Sequence, residues 1–157
     1  MSLTHPPRME AQDYYQVAPD VARALRELGG AVEASGLDKG LLELVKLRAS
    51  QINGCTYCVQ YHLNVARMLG VQQSRLDLAC VWREAGIFTE RECAALALTE
   101  ALTARLAEGL HDDLWNEVRA VFTESETAFL AAAIANINAW NRIAIAMRFN
   151  PPIPRNE

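Results

Sequence analysis

The stretch Leu41-Leu42-Glu43-Leu44-Val45-Lys46-Leu47-Arg48-Ala49-Ser50-Gln51-Ile52, continued through Asn53-Gly54 into Cys55-Thr56-Tyr57-Cys58-Val59-Gln60-Tyr61-His62, separates two architectures. A strand leading into the C-x-x-C would suggest a thioredoxin fold. Leu41, Leu44, Val45 and Ile52 instead recur at helical spacing, so Asp38 to Ile52 reads as a helix. Asn53-Gly54 breaks it immediately before Cys55. A further helix then runs from about Cys55 to Leu69 and stops at Gly70. On that helix Cys58 and His62 fall on the same side as Cys55, because side chains three, four and seven residues apart share a face.

Two thiols beside an imidazole are the components of thiol redox chemistry. An ordinary cysteine has a pKa near 8.5, so only about 3% is thiolate at pH 7. Lowering that pKa to about 7 requires about 2 kcal/mol of differential stabilisation. A helix that starts after Gly54 offers free N–H groups and the positive end of its dipole to both sulfurs. His62, one turn beyond Cys58, is placed to accept a proton. Competing roles for the pair are structural or zinc-binding. Zinc needs further ligands, and the chain has no second C-x-x-C and no H-x-x-x-H. Covalent haem attachment needs His directly after the second Cys, where Val59 stands.

The rest of the chain also reads as helix. Met1 to Gln16 lacks periodicity and is expected to be an extended arm, with the domain occupying 18–149. Pro19 suits a first helical turn, followed by Val21, Leu25 and Leu28; Gly29-Gly30 is expected to weaken or bend this helix and Gly36 to end the segment. Gln72 to Cys80 is a short helix candidate. Thr89 with Glu92, and Thr123 with Glu126, are capping boxes that open helices to about Leu106 and Phe149. Asp112 to Phe122 is a short helix between them. The run Ala131-Ala132-Ala133-Ile134-Ala135 is apolar nearly all round, which predicts a central position for the last helix. Pro151, Pro152 and Pro154 make 150–157 an extended tail. With no segment of period two, the fold class is all-α, one domain with the C-x-x-C at the N-terminus of a core helix.

With 157 residues, 51% apolar and 22% charged, the chain has the size and composition of one globular domain. A net charge of −4 without a basic run argues against nucleic acid or an anionic membrane as partner. No secretory h-region and no membrane-length apolar run is found, so a cytoplasmic location is expected, and four cysteines there read as functional or buried thiols.

Residues outside the motif have ordinary readings. Spacing alone favours an exposed Glu43–Lys46 pair at i,i+3. Cys80 and Cys93 read as small buried hydrophobes, and His5 and His111 as surface or capping residues. Trp82, in the loop before Gly86, lines a pocket or packs with other apolar groups. Asn136, Asn138, Asn141 and Arg142 serve interhelical hydrogen bonds or a subunit contact.

The run Glu43 to His62, with its E-x11-C-x2-C-x3-H spacing, closely resembles the core of the alkylhydroperoxidase AhpD-like family, within the carboxymuconolactone decarboxylase superfamily. The segment Asn138 to Arg148 resembles the end of such proteins, and the likeness spans roughly 41–148. It implies an all-α subunit in a homo-oligomer, trimer or hexamer. It implies Cys58 as peroxidatic thiol, Cys55 as resolving thiol, His62 as proton relay and Glu43 as the residue that orients and charges His62. It also implies a hydroperoxide substrate and no bound cofactor, the electrons coming from an external dithiol, a lipoyl-bearing or thioredoxin-like protein. Tyr57 departs from the pattern, since well-studied members carry a second His between the cysteines. The alternatives are a decarboxylase of the same superfamily, whose acid–base chemistry needs no paired C-x-x-C, and a redox sensor without turnover.

Overall fold

The computed structural model describes residues 5–154, with the side chain of residue 106 left aside. These residues form helices α1 (Ala11–Val17), α2 (Pro19–Glu33), α3 (Lys39–Asn53), α4 (Thr56–Met68), α5 (Gln73–Leu78), α6 (Trp82–Ala85), α7 (Glu90–Ala104), α8 (Asp112–Val121) and α9 (Glu124–Met147), with 3-10 turns at Ala79–Val81 and Leu106–Glu108. No strand occurs among the described residues, so the protein is all-α. The ends of the expected arm and tail, residues 1–4 and 155–157, lie outside the described residues.

The centre is α3. It packs against α4, α7 and α9, and supplies residues to each of three apolar clusters. Leu42 and Val45 enter the first, with Leu98, Leu130 and Ile134. Ala49 enters the second, around the two cysteines, and Leu44 and Leu47 the third, with Leu96 and Trp82. Its buried set includes Glu43 and Ser50 as well as the expected stripe, whereas Ile52 is only half-buried. The helix is enclosed nearly all round. Helix α9, expected to be central, keeps an outer face: Ala135, Ile145 and Ala146 are exposed.

Local signals fix the helix ends. Asp38 accepts from the Leu41 N–H at 2.8 Å, and both capping boxes form. Gly54 is left-handed (φ 69°), its N–H bonds Gln51 O, and the Cys55 N–H returns to Ser50 O at 3.0 Å. This paired closure ends α3 and makes Cys55 the N-cap of α4.

Two expectations fail on packing. The arm is not wholly extended: Ala11–Val17 is helical. Its Tyr14 meets Phe149 edge-on at 5.8 Å and Tyr15 meets Trp140 at 6.2 Å, while Arg8 and Met9 donate backbone N–H bonds to Met147 O at the end of α9. Tertiary contact, rather than periodicity, makes this short helix. Helix α2 runs on through Gly29-Gly30, and Gly29 is where it lies against α9, since a Cβ there would come 3.3 Å from Asn136 Nδ2. Cys80 is exposed on its 3-10 turn and Cys93 is half-buried, so neither is a core residue.

At Gly54 an added Cβ would meet nothing within 4 Å, so only the backbone resists substitution. Gly54→Ala is therefore expected to cost about 1–2 kcal/mol in urea unfolding, by forcing an L-residue into the left-handed region.

Candidate redox site

Cys55 and Cys58 are joined as a disulfide with Cα atoms 5.3 Å apart. The corner at Gly54 places them at the N-cap and in the first turn of α4. Cys55 Sγ accepts the Cys58 N–H at 3.2 Å, as the hydroxyl of a serine N-cap would. Both cysteines are almost closed to solvent.

His62 follows Cys58 by one turn and is also buried. Its Nδ1 lies 2.7 Å from Glu43 Oε2 on α3, and Glu43 Oε1 accepts from Lys46 Nζ at 2.8 Å. Glu43 is only 4% exposed, so the pair expected on an open surface is in fact part of a buried Lys46–Glu43–His62 hydrogen-bond network. Burial pushes the Glu43 carboxyl up. The hydrogen bond and charge of His62, with Lys46, outweigh it and hold the group below the usual range. An ionised carboxylate only accepts, so Nδ1 carries the proton and Nε2 is the remaining basic nitrogen of His62.

Cys58 and His62 both line a cavity of about 450 Å³ between α2, α4 and α9. Tyr57, Tyr61, Trp140 and Phe149 contribute rings to its wall, and Arg26 and Lys46 contribute charge. Tyr57 stacks on Tyr61 at 6.1 Å and meets Phe149 edge-on at 5.3 Å. Burial, reinforced by Tyr15, pushes its phenol up, so it stays a protonated donor. Asn136 also lines this cavity. Its Nδ2 donates to Leu25 O, leaving a buried Oδ1 without a partner among the described residues.

The other polar residues of α9 act mainly between helices. Asn53 Nδ2 donates to Asn138 Oδ1 at 2.9 Å and to Asn141 Oδ1 at 2.8 Å, and Asn141 Nδ2 donates to Ser50 Oγ. Arg142 donates within its own helix to Asn138. Trp82 is buried in α6, away from the redox cavity, where its Nε1 donates to Glu100 beside Arg48 and Arg83. Sequence reasoning did not anticipate this second buried carboxylate, because its partners are 17 to 52 residues distant. Burial pushes the Cys93 thiol up, aided by the charge of Glu92, which favours its protonated form. His5 and His111 are exposed, His111 at the start of α8 without a side-chain cap bond. Among the described residues no three His, Cys, Asp or Glu side chains converge as metal ligands would.

Residues 19–101 match the model of the carboxymuconolactone decarboxylase family. An uncharacterised protein of Bacillus subtilis (strain 168), YdfG, is 34% identical over 85% of this chain and 91% of its own length. A crystal structure from Agrobacterium tumefaciens, of a protein of unknown function described as a candidate AhpD of antioxidant defence, superposes with a TM-score of 0.88 at 36% identity. It covers 95% of this chain and 100% of its own. The debrominase Bmp8 superposes with a TM-score of 0.76 at 25% identity, over 85% of this chain and 72% of its own.

The buried Glu43 network has a measurable acid limb. Since the folded-state value of Glu43 lies below the ordinary 4.5, its stabilising contribution is complete above that pH and is lost as pH falls from 4.5 through the folded-state value. Glu100, also held low, is common to wild type and Glu43→Gln and cancels in the comparison. The stability difference between the two, from urea unfolding at each pH, is expected to shrink as pH falls below 4.5.

Proposed function

The chain belongs to the carboxymuconolactone decarboxylase family, and from that premise we propose that it is a thiol-dependent peroxidase. Membership alone supports a peroxidase-related or decarboxylase-type role. The observation that carries the finer reading is that Cys58 and His62 line one cavity, with His62 held by the buried Glu43 and Cys58 paired to Cys55. A lactone decarboxylase has no use for a closing pair of sulfurs.

In this reading reduced Cys58 gives its proton to His62 Nε2 and attacks the O–O bond of a hydroperoxide as thiolate. The distal oxygen joins the sulfur as a sulfenic acid, and the remainder takes the proton and leaves as an alcohol. The Cys55 thiol condenses with the sulfenic acid, releasing water and forming the disulfide present in the structure. An external dithiol then restores both thiols and is itself oxidised. Glu43 positions His62 and offsets the positive charge it gains. Tyr57, as a protonated phenol on the cavity wall, is a donor to the peroxide oxygen. The cavity also favours an organic substrate, since 450 Å³ falls in the range of small-molecule sites and far exceeds the roughly 30 Å³ of a water-sized molecule. Assembly as a trimer or hexamer belongs to the same proposal. The exposed Val17, Val21 and Leu28 give α2 and its approach an apolar edge for a second copy.

The test combines thiol counting with variants. One equivalent of tert-butyl hydroperoxide is expected to remove two free thiols, those of Cys55 and Cys58, and to leave Cys80 and Cys93 intact. Cys58→Ser is expected to abolish peroxide consumption, while Cys55→Ser forms one sulfenate, trapped with dimedone, and stops. Normal turnover by Cys58→Ser would overturn the assignment. Glu43→Gln is expected to raise the thiol pKa read by thiolate absorbance; an unchanged titration would remove Glu43 from the relay.

A further inference from the structure

The two sulfurs of the disulfide belong to residues that line different cavities. Cys58 lines the larger one together with His62. Cys55 lines a second, of about 280 Å³, with Thr56, Ile145, Arg148 and Asn150. Tyr57, Ala144 and Phe149 line both, and so form the wall between them. We propose that the second cavity is the reductant's site, where a slender vicinal dithiol attacks Cys55 while peroxide reacts at Cys58 on the far side of the wall. The proposal rests on the thiol-peroxidase reading of the disulfide.

The chemistry of exchange favours this direction. A thiolate of the reductant forms a bond to Cys55 Sγ, the Cys55–Cys58 bond breaks, and the electron pair leaves on Cys58. The proton released by the reductant's first thiol passes through solvent to His62 Nε2, and His62, one turn along α4 and lining the same cavity as Cys58, hands it to the departing sulfur. The second thiol of the reductant, deprotonated, then attacks the reductant's own sulfur in the mixed disulfide. Cys55 leaves as a thiolate, which the Cys58 N–H it already accepts stabilises at the helix end. The reductant departs as a cyclic disulfide; two electrons and one proton have moved to the protein, and the second proton stays in solvent until the Cys55 thiolate takes it up. Each leaving sulfur thus has its own assistance, which attack at Cys58 would reverse.

Shape and charge fit the same occupant. A space of 280 Å³ is just below the usual span of small-molecule pockets, enough for a dithiol at the end of a chain but not for a folded domain. Arg148 brings a cation that favours an incoming thiolate. It is also the one non-glycine residue with positive φ (54°) among the described residues. Such strain, about 1–2 kcal/mol, collects at working sites. Here it turns the chain so that the Phe149 N–H bonds Ala144 O at 3.0 Å, which sets Phe149 into the dividing wall.

Two half-reactions, followed separately by stopped flow, test the assignment. Ile145 is 44% exposed and lines only the second cavity, so Ile145→Trp narrows that cavity without touching the first. Reduction of the disulfide protein by dihydrolipoamide is expected to slow by at least about tenfold, and oxidation of the reduced protein by tert-butyl hydroperoxide to stay within about twofold. Gly30 lines only the first cavity, with open space around it, so Gly30→Trp is expected to give the opposite pattern. Unchanged reduction in both Ile145→Trp and Asn150→Trp, or equal slowing of both half-reactions, would overturn the separate reductant site. A wild type inert toward peroxide would overturn the peroxidase reading instead, and the reduction comparison decides the reductant site in either case.

Discussion

One left-handed residue holds this architecture together. Gly54 lets α3 close on itself and α4 begin one residue later, so that a single corner sets both helices. The two helices pack against each other from that corner. Glu43 lies eleven residues before Gly54 and His62 eight after it. At 1.5 Å per residue these are about 16 Å and about 12 Å along their axes, a gap the glutamate side chain helps to bridge. The long spacing between the glutamate and the cysteines is thus the geometry of one helical corner, and Asn53, clamped to Asn138 and Asn141, keeps that corner seated on α9.

Because α3 is enclosed, every charge it carries has to be matched inside the protein. Glu43 is matched by His62 and Lys46; Arg48 is matched by Glu100, which also takes bonds from Trp82 and Arg83. Breaking such a buried pair by removing one partner typically costs about 3–5 kcal/mol, far more than an exposed pair contributes. The two carboxylates are alike in burial and in being held ionised, yet only Glu43 faces a histidine that lines a cavity with a cysteine. Under the proposed function it is that histidine, rather than the strength of the ion pairs, that sets Glu43 apart from Glu100.

How much of this was legible in the sequence follows from the range of each interaction. Local signals read correctly: the helical period of α3, the capping boxes of α7 and α9, and the glycine that ends α3. The juxtaposition of Glu43 with His62 was not local. Spacing alone pointed to a surface pair with Lys46, and only the likeness to a family placed Glu43 in the site. Interactions with no sequence period stayed hidden. The helix α1 exists through Tyr14 and Tyr15 against distant rings, Gly29 marks an approach to Asn136, and Cys80 faces outward while Ala79 takes the buried place on its turn. The cavities are assembled from α2, α4, α9 and the segment after α9, and no pattern within one segment announces them.

In the proposed cycle the Cys55 sulfur that carries electrons is also a mechanical fastening. Its sulfur holds the first turn of α4 through the Cys58 N–H. A thiolate accepts such a bond more strongly than a disulfide sulfur, since a charged acceptor roughly doubles its strength. In that cycle the helix end is drawn tighter when the pair is reduced and eased when it is oxidised. The oxidation state of one sulfur is written into the fraying of a helix, and amide exchange at Cys58 would report it without any substrate present.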